Sequence, residues 1–144
     1  NYELIASEND RVFDYENRVY RPFMTDQLLL KQLMTILFDN AIKYTEEDGK
    51  IEFVVHATDR HLYLTVTDNG IGISAADKKK IFDRFYRVDK ARTRQKGGFG
   101  LGLSLAKQIV DALRGTISVK DNKPRGTIFE VKIAIQSPSK RKNK

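Results

Sequence analysis

Three groups of residues, far apart in the chain, have the types and spacing needed for chemistry on a charged ligand. The first is Asn40, Lys43 and Tyr44, which share one face of a predicted helix because they fall at i, i+3 and i+4. A carboxamide oxygen can bind Mg²⁺, an ammonium group can neutralise phosphate, and a phenol ring can lie against a base or sugar. A solvent-exposed polar face explains these three residues equally well, so both interpretations stay open.

The second group is an acid followed by two glycines, directly after a predicted strand. Asp68 could accept hydrogen bonds in a pocket, while Gly70 and Gly72 would let a flat ring approach the backbone closely. Residues 70–75 also fit the dinucleotide fingerprint G-x-G-x-x-A. That fingerprint requires a second parallel strand ending in an acidic residue, and a basic loop follows here instead, so a dinucleotide fold is disfavoured.

The third group is a glycine-rich segment, residues 97–103, that leads into a predicted helix. Clustered glycines at a helix N-terminus expose amide groups and the positive end of the helix dipole, which together suit a polyphosphate. The segment lacks the G-K-[ST] ending of a Walker A loop, so a metal ion would have to be held elsewhere, and Asn40 is the candidate. Glycines that merely permit tight helix packing are the structural alternative.

Hydrophobic periodicity predicts the elements that must position these groups. We expect strands at 2–6, 17–24, 50–58, 61–67, 116–120 and 127–135, and helices at 26–45, from Ser74 onward, and from 101 to a left-handed cap at Gly115. The short helix would present Ile81, Phe82 and Phe85 as its apolar face, and the basic, aperiodic stretch after it would be a functional loop. Hairpin pairs without strict βαβ alternation favour an antiparallel or mixed sheet covered by helices on one face.

Composition limits the alternatives. The 144 residues suffice for one domain, and the chain has no cysteine for disulfides or a thiolate zinc site. No run approaches the roughly 20 apolar residues of a membrane span. The net charge of +7 would suit a polyanion, but part of it lies in a terminal basic run, and we expect no nucleic-acid partner. We expect one domain over residues 1–136 and a basic disordered tail over 137–144.

In combination, these segments resemble the Bergerat-fold family of ATP binders, which includes DNA gyrase B subunits, heat-shock protein 90, MutL and sensor histidine kinases. Asn40 corresponds to the N box, the Asp68-x-Gly70-x-Gly72 segment to the G1 box and Gly100-x-Gly102 to the G2 box. Residues 81–87 are similar to the F box of histidine kinases, and residues 126–129 to the closing G3 element. The resemblance covers about residues 25–135, and the histidine kinases are the branch it favours.

The resemblance implies an α+β fold, a two-layer α/β sandwich whose mixed, mostly antiparallel sheet has helices on one face and a flexible lid at about 86–99. ATP and Mg²⁺ are the implied ligands. The implied catalytic residues are Asn40, which would also hold the metal, Lys43 and Arg87. Asp68 would accept a hydrogen bond from the adenine amino group. The implied nucleotide contacts are Asn40, Lys43, Tyr44, Asp68, Gly70, Gly72, Ile73, Phe82, Phe85, Tyr86, Arg87, Lys90, Gly98, Gly100, Leu101, Gly102, Leu103 and Thr127.

A kinase of this branch transfers the γ-phosphate to a histidine on a separate dimerisation domain and then serves a response regulator. The resemblance therefore implies the cytoplasmic domain of a membrane-anchored, homodimeric bacterial sensor. His56 and His61 lack the motif around the accepting histidine, so the chain alone is not expected to phosphorylate itself. Ile36 departs from the family pattern, which has asparagine there in kinases and glutamate in ATPases. An anti-sigma-factor-type serine kinase and a degenerate nucleotide-binding interaction module remain as alternatives.

Overall fold

The computed structural model describes residues 12–20, 22–46, 48–83 and 102–136. The elements in chain order are β1 (Val12–Arg18), α1 (Gln27–Tyr44), β2 (Lys50–Ala57), β3 (His61–Asp68), α2 (Ala75–Lys78), α3 (Gly102–Ala112), β4 (Thr116–Asp121) and β5 (Thr127–Ala134). The strands form one sheet in the order β1-β2-β3-β5-β4. Only the β1–β2 pair is parallel within this described sheet, which confirms the predicted α+β class with a mixed, mostly antiparallel sheet.

The helical layer covers one face of the sheet. Alternate residues of β2, β3 and β5 point into a core that the leucine stripe of α1 completes at Leu33 and Leu37. Three phenylalanines, at 38, 53 and 129, are the largest fully buried side chains. On the opposite face, the exposed His56 stacks on Tyr63 with ring centroids 4.6 Å apart.

The first strand differs from its prediction. A strand at 17–24 was expected, but β1 runs from Val12 to Arg18, and the chain then makes only an isolated bridge between Met24 and Gln136. Most side chains of β1 are exposed, so no inward-facing alternation marks its bounds in the sequence. Pairing with β2 at the sheet edge places this strand instead. The predicted strand at 2–6 lies outside the described residues.

A side chain caps the start of α1, and the end of α3 differs from its prediction. Asp26 accepts a hydrogen bond from the Leu29 amide at 3.0 Å, as an N-cap should. At the end of α3, the left-handed residue is Arg114 (φ 57°), not Gly115 as predicted. The Gly115 amide bonds to the Val110 carbonyl and the Arg114 amide to that of Asp111, which is a Schellman motif shifted by one residue.

Gly115 is still required, for a different reason. A Cβ at this position would lie 2.0 Å from the Lys132 carbonyl oxygen, so the glycine allows the chain to pass against β5. The predicted helix after Ser74 is also shorter than expected, since α2 ends at Lys78. Ile81 is nevertheless buried and Phe82 packs against the core, whereas Phe85 lies outside the described residues.

Candidate nucleotide-binding site

The C-terminal half of α1 forms one wall of the candidate site. Asn40 is 9% exposed and Tyr44 is also buried, while Lys43 is half-buried and Asp39 points to solvent. Because Asn40 and Tyr44 are buried and Lys43 is only partly exposed, this is not the solvent-exposed polar face that the sequence left open as an alternative.

Asp68 ends β3 with its carboxylate inside the protein, where the residue is 2% exposed. Oδ1 accepts a hydrogen bond of 2.9 Å from the Gly70 amide. Burial raises the pKa of Asp68 to about 6, and hydrogen bonds from the Gly70 and Thr127 backbones oppose that rise. The carboxylate is thus an acceptor held in place but only partly compensated for the loss of water.

Thr127 lies beside this acid, since the two residues are paired in the antiparallel β3–β5 ladder. The threonine is 2% exposed, and its Oγ1 has no hydrogen-bond partner among the described residues. A hydroxyl can both donate and accept, so a ligand or a water molecule placed here would satisfy it. Asp68 and Thr127 together present an anionic acceptor and an unpaired hydroxyl at one end of the sheet.

The glycine segment after Asp68 is held against the end of α1. The Ile71 amide donates to the Tyr44 carbonyl at 3.0 Å, and a Cβ on Gly70 would lie 1.8 Å from the same oxygen. Gly72 has φ +77° and lies near Gly126 of the neighbouring turn, and Ile73 is buried in the core. The first and second groups of predicted site residues are therefore adjacent.

The start of α3 meets α1 one helical turn before Asn40. Gly102, the first residue of α3, is exposed, and a Cβ built on it would lie 3.6 Å from Ile36 Cγ2. Ile36, Asn40 and Tyr44 follow one another at successive turns, spanning about 12 Å of helix. The first two predicted groups and the described end of the third therefore border the same stretch of α1, with Gly102 near one end and Gly70 near the other.

The remaining predicted site residues either pack against the core or lie outside the described part of the chain. Phe82 makes a T-shaped contact with Phe129, with ring centroids 6.4 Å apart, and Leu103 packs against the core. Phe85, Tyr86, Arg87, Lys90, Gly98, Gly100 and Leu101 lie outside the described residues, as do the predicted lid and the basic tail.

Two residues that hold the site were not predicted. Asn122 Nδ2 donates to the Asp68 carbonyl at 2.9 Å, and Arg125 Nε donates to the Gly70 carbonyl at 2.8 Å. Both partners are backbone oxygens more than 50 positions away, so no side-chain pattern in the sequence marks these contacts. The break between the predicted strands at 116–120 and 127–135 was the available signal.

A mixed sheet under one helical layer, with an acid and glycines at a strand end beside a polar helix wall, matches the α/β sandwich that the family resemblance implies. Residues 25–137 match the family described as histidine kinase-, DNA gyrase B- and HSP90-like ATPases, and the chain belongs to this family. The predicted family is thereby confirmed.

Curated relatives of the chain include sensor histidine kinases. The chain is 82% identical over 142 residues to the sensor protein CiaH of Streptococcus pneumoniae, covering 99% of this chain and 32% of CiaH. It is 45% identical over 101 residues to the histidine-protein kinase ArlS of Staphylococcus aureus, covering 70% of this chain and 22% of ArlS. The chain therefore spans a third or less of the length of these curated relatives.

Solved structures that resemble this chain are also histidine kinases. The mycobacterial sensor histidine kinase MprB matches with a TM-score of 0.75 and 27% identity over 94% of this chain and 91% of that one. The nucleotide-free catalytic domain of histidine kinase ThkA matches with a TM-score of 0.76 and 28% identity over 97% and 88%. The predicted histidine kinase branch is confirmed by these neighbours.

Among the described helices, none has the length and apolar character of a membrane span.

Proposed function

We propose that this chain binds Mg-ATP along the C-terminal half of α1 and donates the γ-phosphate to a histidine on a separate dimerisation domain. One observation carries the proposal: the buried Asp68 carboxylate lies beside the unpaired Thr127 hydroxyl, next to a glycine segment that packs on α1. Both groups lost water on folding without full compensation, which suits a site completed by a ligand.

Adenine is the base that fits Asp68. Its exocyclic amino group is a donor, and the oxygen that guanine carries at the same edge is an acceptor, which would leave the buried carboxylate unpaired. A water molecule or a ring nitrogen could bond to the Thr127 hydroxyl. Gly70 leaves room for the Tyr44 carbonyl against the segment that carries Asp68, and the positive φ of Gly72 suits a residue without a side chain.

The phosphates would lie between α1 and the start of α3. Lys43 supplies a positive charge from α1, and the amide groups at the N-terminus of α3 favour an anion near Gly102. We propose Arg87 and Lys90 as further cations, on the family resemblance alone.

Magnesium fits the side chains present only with help from the substrate. No cluster of three or more histidine, cysteine, aspartate or glutamate side chains that could hold a metal occurs in the described ranges. The Asn40 carboxamide offers one oxygen, and Mg²⁺ characteristically takes its remaining ligands from phosphates and water. When bound, the ion would neutralise charge on the phosphates.

In the proposed reaction, a ring nitrogen of the accepting histidine attacks the γ-phosphorus. The nitrogen–phosphorus bond forms as the bond to the bridging β-phosphate oxygen breaks, ADP leaves, and the imidazole loses its proton to solvent. The domain contributes position and electrostatic stabilisation, because phosphoryl transfer needs little covalent chemistry from the protein. Ile36 supplies no carboxylate to activate water, which disfavours ATP hydrolysis by this chain.

The family relationship supports further proposals about the whole protein. Its partners would be the histidine-bearing dimerisation domain of the same kinase and a cognate response regulator. We place the chain as the cytoplasmic domain of a membrane-anchored, homodimeric bacterial sensor, since its relatives are sensor kinases.

One mixing experiment tests the proposal against both alternatives. The chain is incubated with γ-labelled ATP and magnesium, with and without a separately made histidine hairpin domain. We expect label on the hairpin that is stable to base and labile to acid, and none on the chain alone. Label on a serine, stable to acid, would instead establish a serine kinase. Nucleotide binding without any transfer would favour a degenerate binding module.

A further inference from the structure

The β4–β5 turn, residues 122–126, lies against the backbone that carries Asp68. A Cβ on Gly126 would lie 1.9 Å from the Asp68 carbonyl oxygen and 2.7 Å from Asn69 Cα, so the two backbones are in direct contact. Gly126 also has φ +113°, a conformation that other residues rarely adopt. The turn is closed by a hydrogen bond of 3.0 Å from the Asn122 amide to the Gly126 carbonyl.

Two side chains of this turn donate hydrogen bonds to the backbone carbonyls on either side of Asn69. Asn122 Nδ2 donates to the Asp68 carbonyl and Arg125 Nε donates to the Gly70 carbonyl. These bonds fix the peptide planes before and after the Asn69–Gly70 link, and the Gly70 amide in turn donates to Asp68 Oδ1. The direction of the Asp68 carboxylate therefore depends on both bonds.

The segment is held from its other side by α1. The Ile71 amide donates to the Tyr44 carbonyl, and the Arg125 guanidinium lies 3.8 Å from the Glu46 carboxylate just beyond α1. Farther along, Lys78 of α2 forms a 2.6 Å ion pair with Asp121 at the end of β4. The backbone of residues 68–71 is thus held between α1 and the β4–β5 turn.

We propose that Asn122 and Arg125 are positioning residues for base recognition. Their hydrogen bonds hold the Asp68–Gly70 backbone so that the Asp68 carboxylate meets the adenine amino group. This proposal rests on the proposed ATP-binding function. Arg125 acts through the Gly70 carbonyl and not as a cation for the phosphates. Its side chain is more than half exposed, and the bond is made by Nε, so the charge itself is secondary.

Adenosine separates these two roles, because it has the base and no phosphate. We would measure adenosine and Mg-ATP affinities by NMR titration for the wild type, Arg125→Ala, Arg125→Lys and Asn122→Ala. The matched control is Lys123→Ala, which removes the same charge from the same turn and whose side chain makes no hydrogen bond or ion pair with another described residue. Loss of one positioning hydrogen bond should weaken both ligands about 3- to 10-fold.

We expect Arg125→Ala and Asn122→Ala to weaken adenosine and Mg-ATP by equal factors, Lys123→Ala to change neither, and Arg125→Lys not to restore affinity. Amide exchange at Gly70 and Ile71 in the ligand-free protein should also accelerate in both alanine variants. If Arg125→Ala weakens only Mg-ATP and lysine rescues it, the residue is a phosphate cation and the positioning role is wrong.

Unchanged adenosine affinity and unchanged amide exchange, in a wild type that binds both ligands, would overturn the positioning proposal alone. A wild type that binds neither ligand would overturn the proposed function and this inference with it.

Discussion

Replacing Asp68 by asparagine should make the ligand-free protein more stable at neutral pH while weakening its proposed function. The native state raises the pKa of this carboxyl to about 6 from 3.8, chiefly because burial disfavours the charge. A native pKa above the unfolded value means that the stability contributed by this group is present below about pH 3.8. It is lost as the pH rises to 6, because the folded protein must then hold the buried charge.

The size of the effect follows from that shift. About 2 pKa units correspond to about 3 kcal/mol of lost stability above pH 6, a large part of the 5–15 kcal/mol that typical domains possess. Asparagine keeps an acceptor oxygen for the Gly70 amide but carries no charge. Its amide hydrogens need a partner, so we expect a net gain of about 1–3 kcal/mol at pH 7.5.

Urea unfolding followed by circular dichroism at pH 7.5 and pH 5 would measure this. The wild type should lose stability between pH 5 and 7.5 relative to Asp68→Asn, whose midpoint at pH 7.5 should be higher by roughly 1 M urea. The exposed carboxylate of Asp83 supplies a matched control, Asp83→Asn, with little expected change. If Asp68→Asn is less stable than the wild type at pH 7.5 and has the same pH dependence, the buried-charge argument is refuted.

Three further outcomes follow from the same geometry. Calorimetry should show a preference of at least about 30-fold for ATP over GTP, since guanine would leave Asp68 unpaired at a cost of roughly 2–3 kcal/mol, and equal affinities would remove this role. Adenosine affinity should fall by up to about tenfold per pH unit below pH 6, because the base binds the ionised carboxylate; NMR titration at several pH values would check this, and a flat profile would contradict it. Gly126→Ala should destabilise the fold by about 3 kcal/mol or more in urea unfolding, because its Cβ would meet the Asp68 carbonyl. The control Gly102→Ala should change the free energy of unfolding by less than about 1 kcal/mol. Equal effects of the two substitutions would show that the Gly126 contact is not as close as described.

Much of the local structure was determined by the sequence itself. The leucine stripe and the Asp26 cap fix α1 to within a residue or two of its predicted ends, and alternation locates β2 to β5, because period and capping are properties of neighbouring residues. The chemical types at Asn40, Asp68 and the glycines also indicated a nucleotide site, because an amide, an acid and flexible backbone suit those ligand groups.

Tertiary structure alone decided what surrounds those residues. The bounds of β1 depend on its parallel pairing with β2, and the left-handed residue that ends α3 is Arg114, with Gly115 packed against β5. The pKa of Asp68 is raised because the folded chain buries its carboxyl group. The hydrogen bonds from Asn122 and Arg125 connect positions that are more than 50 residues apart in the sequence. Burial and backbone hydrogen bonding depend on which segments meet in space. A local sequence pattern does not indicate which distant segments will be in contact.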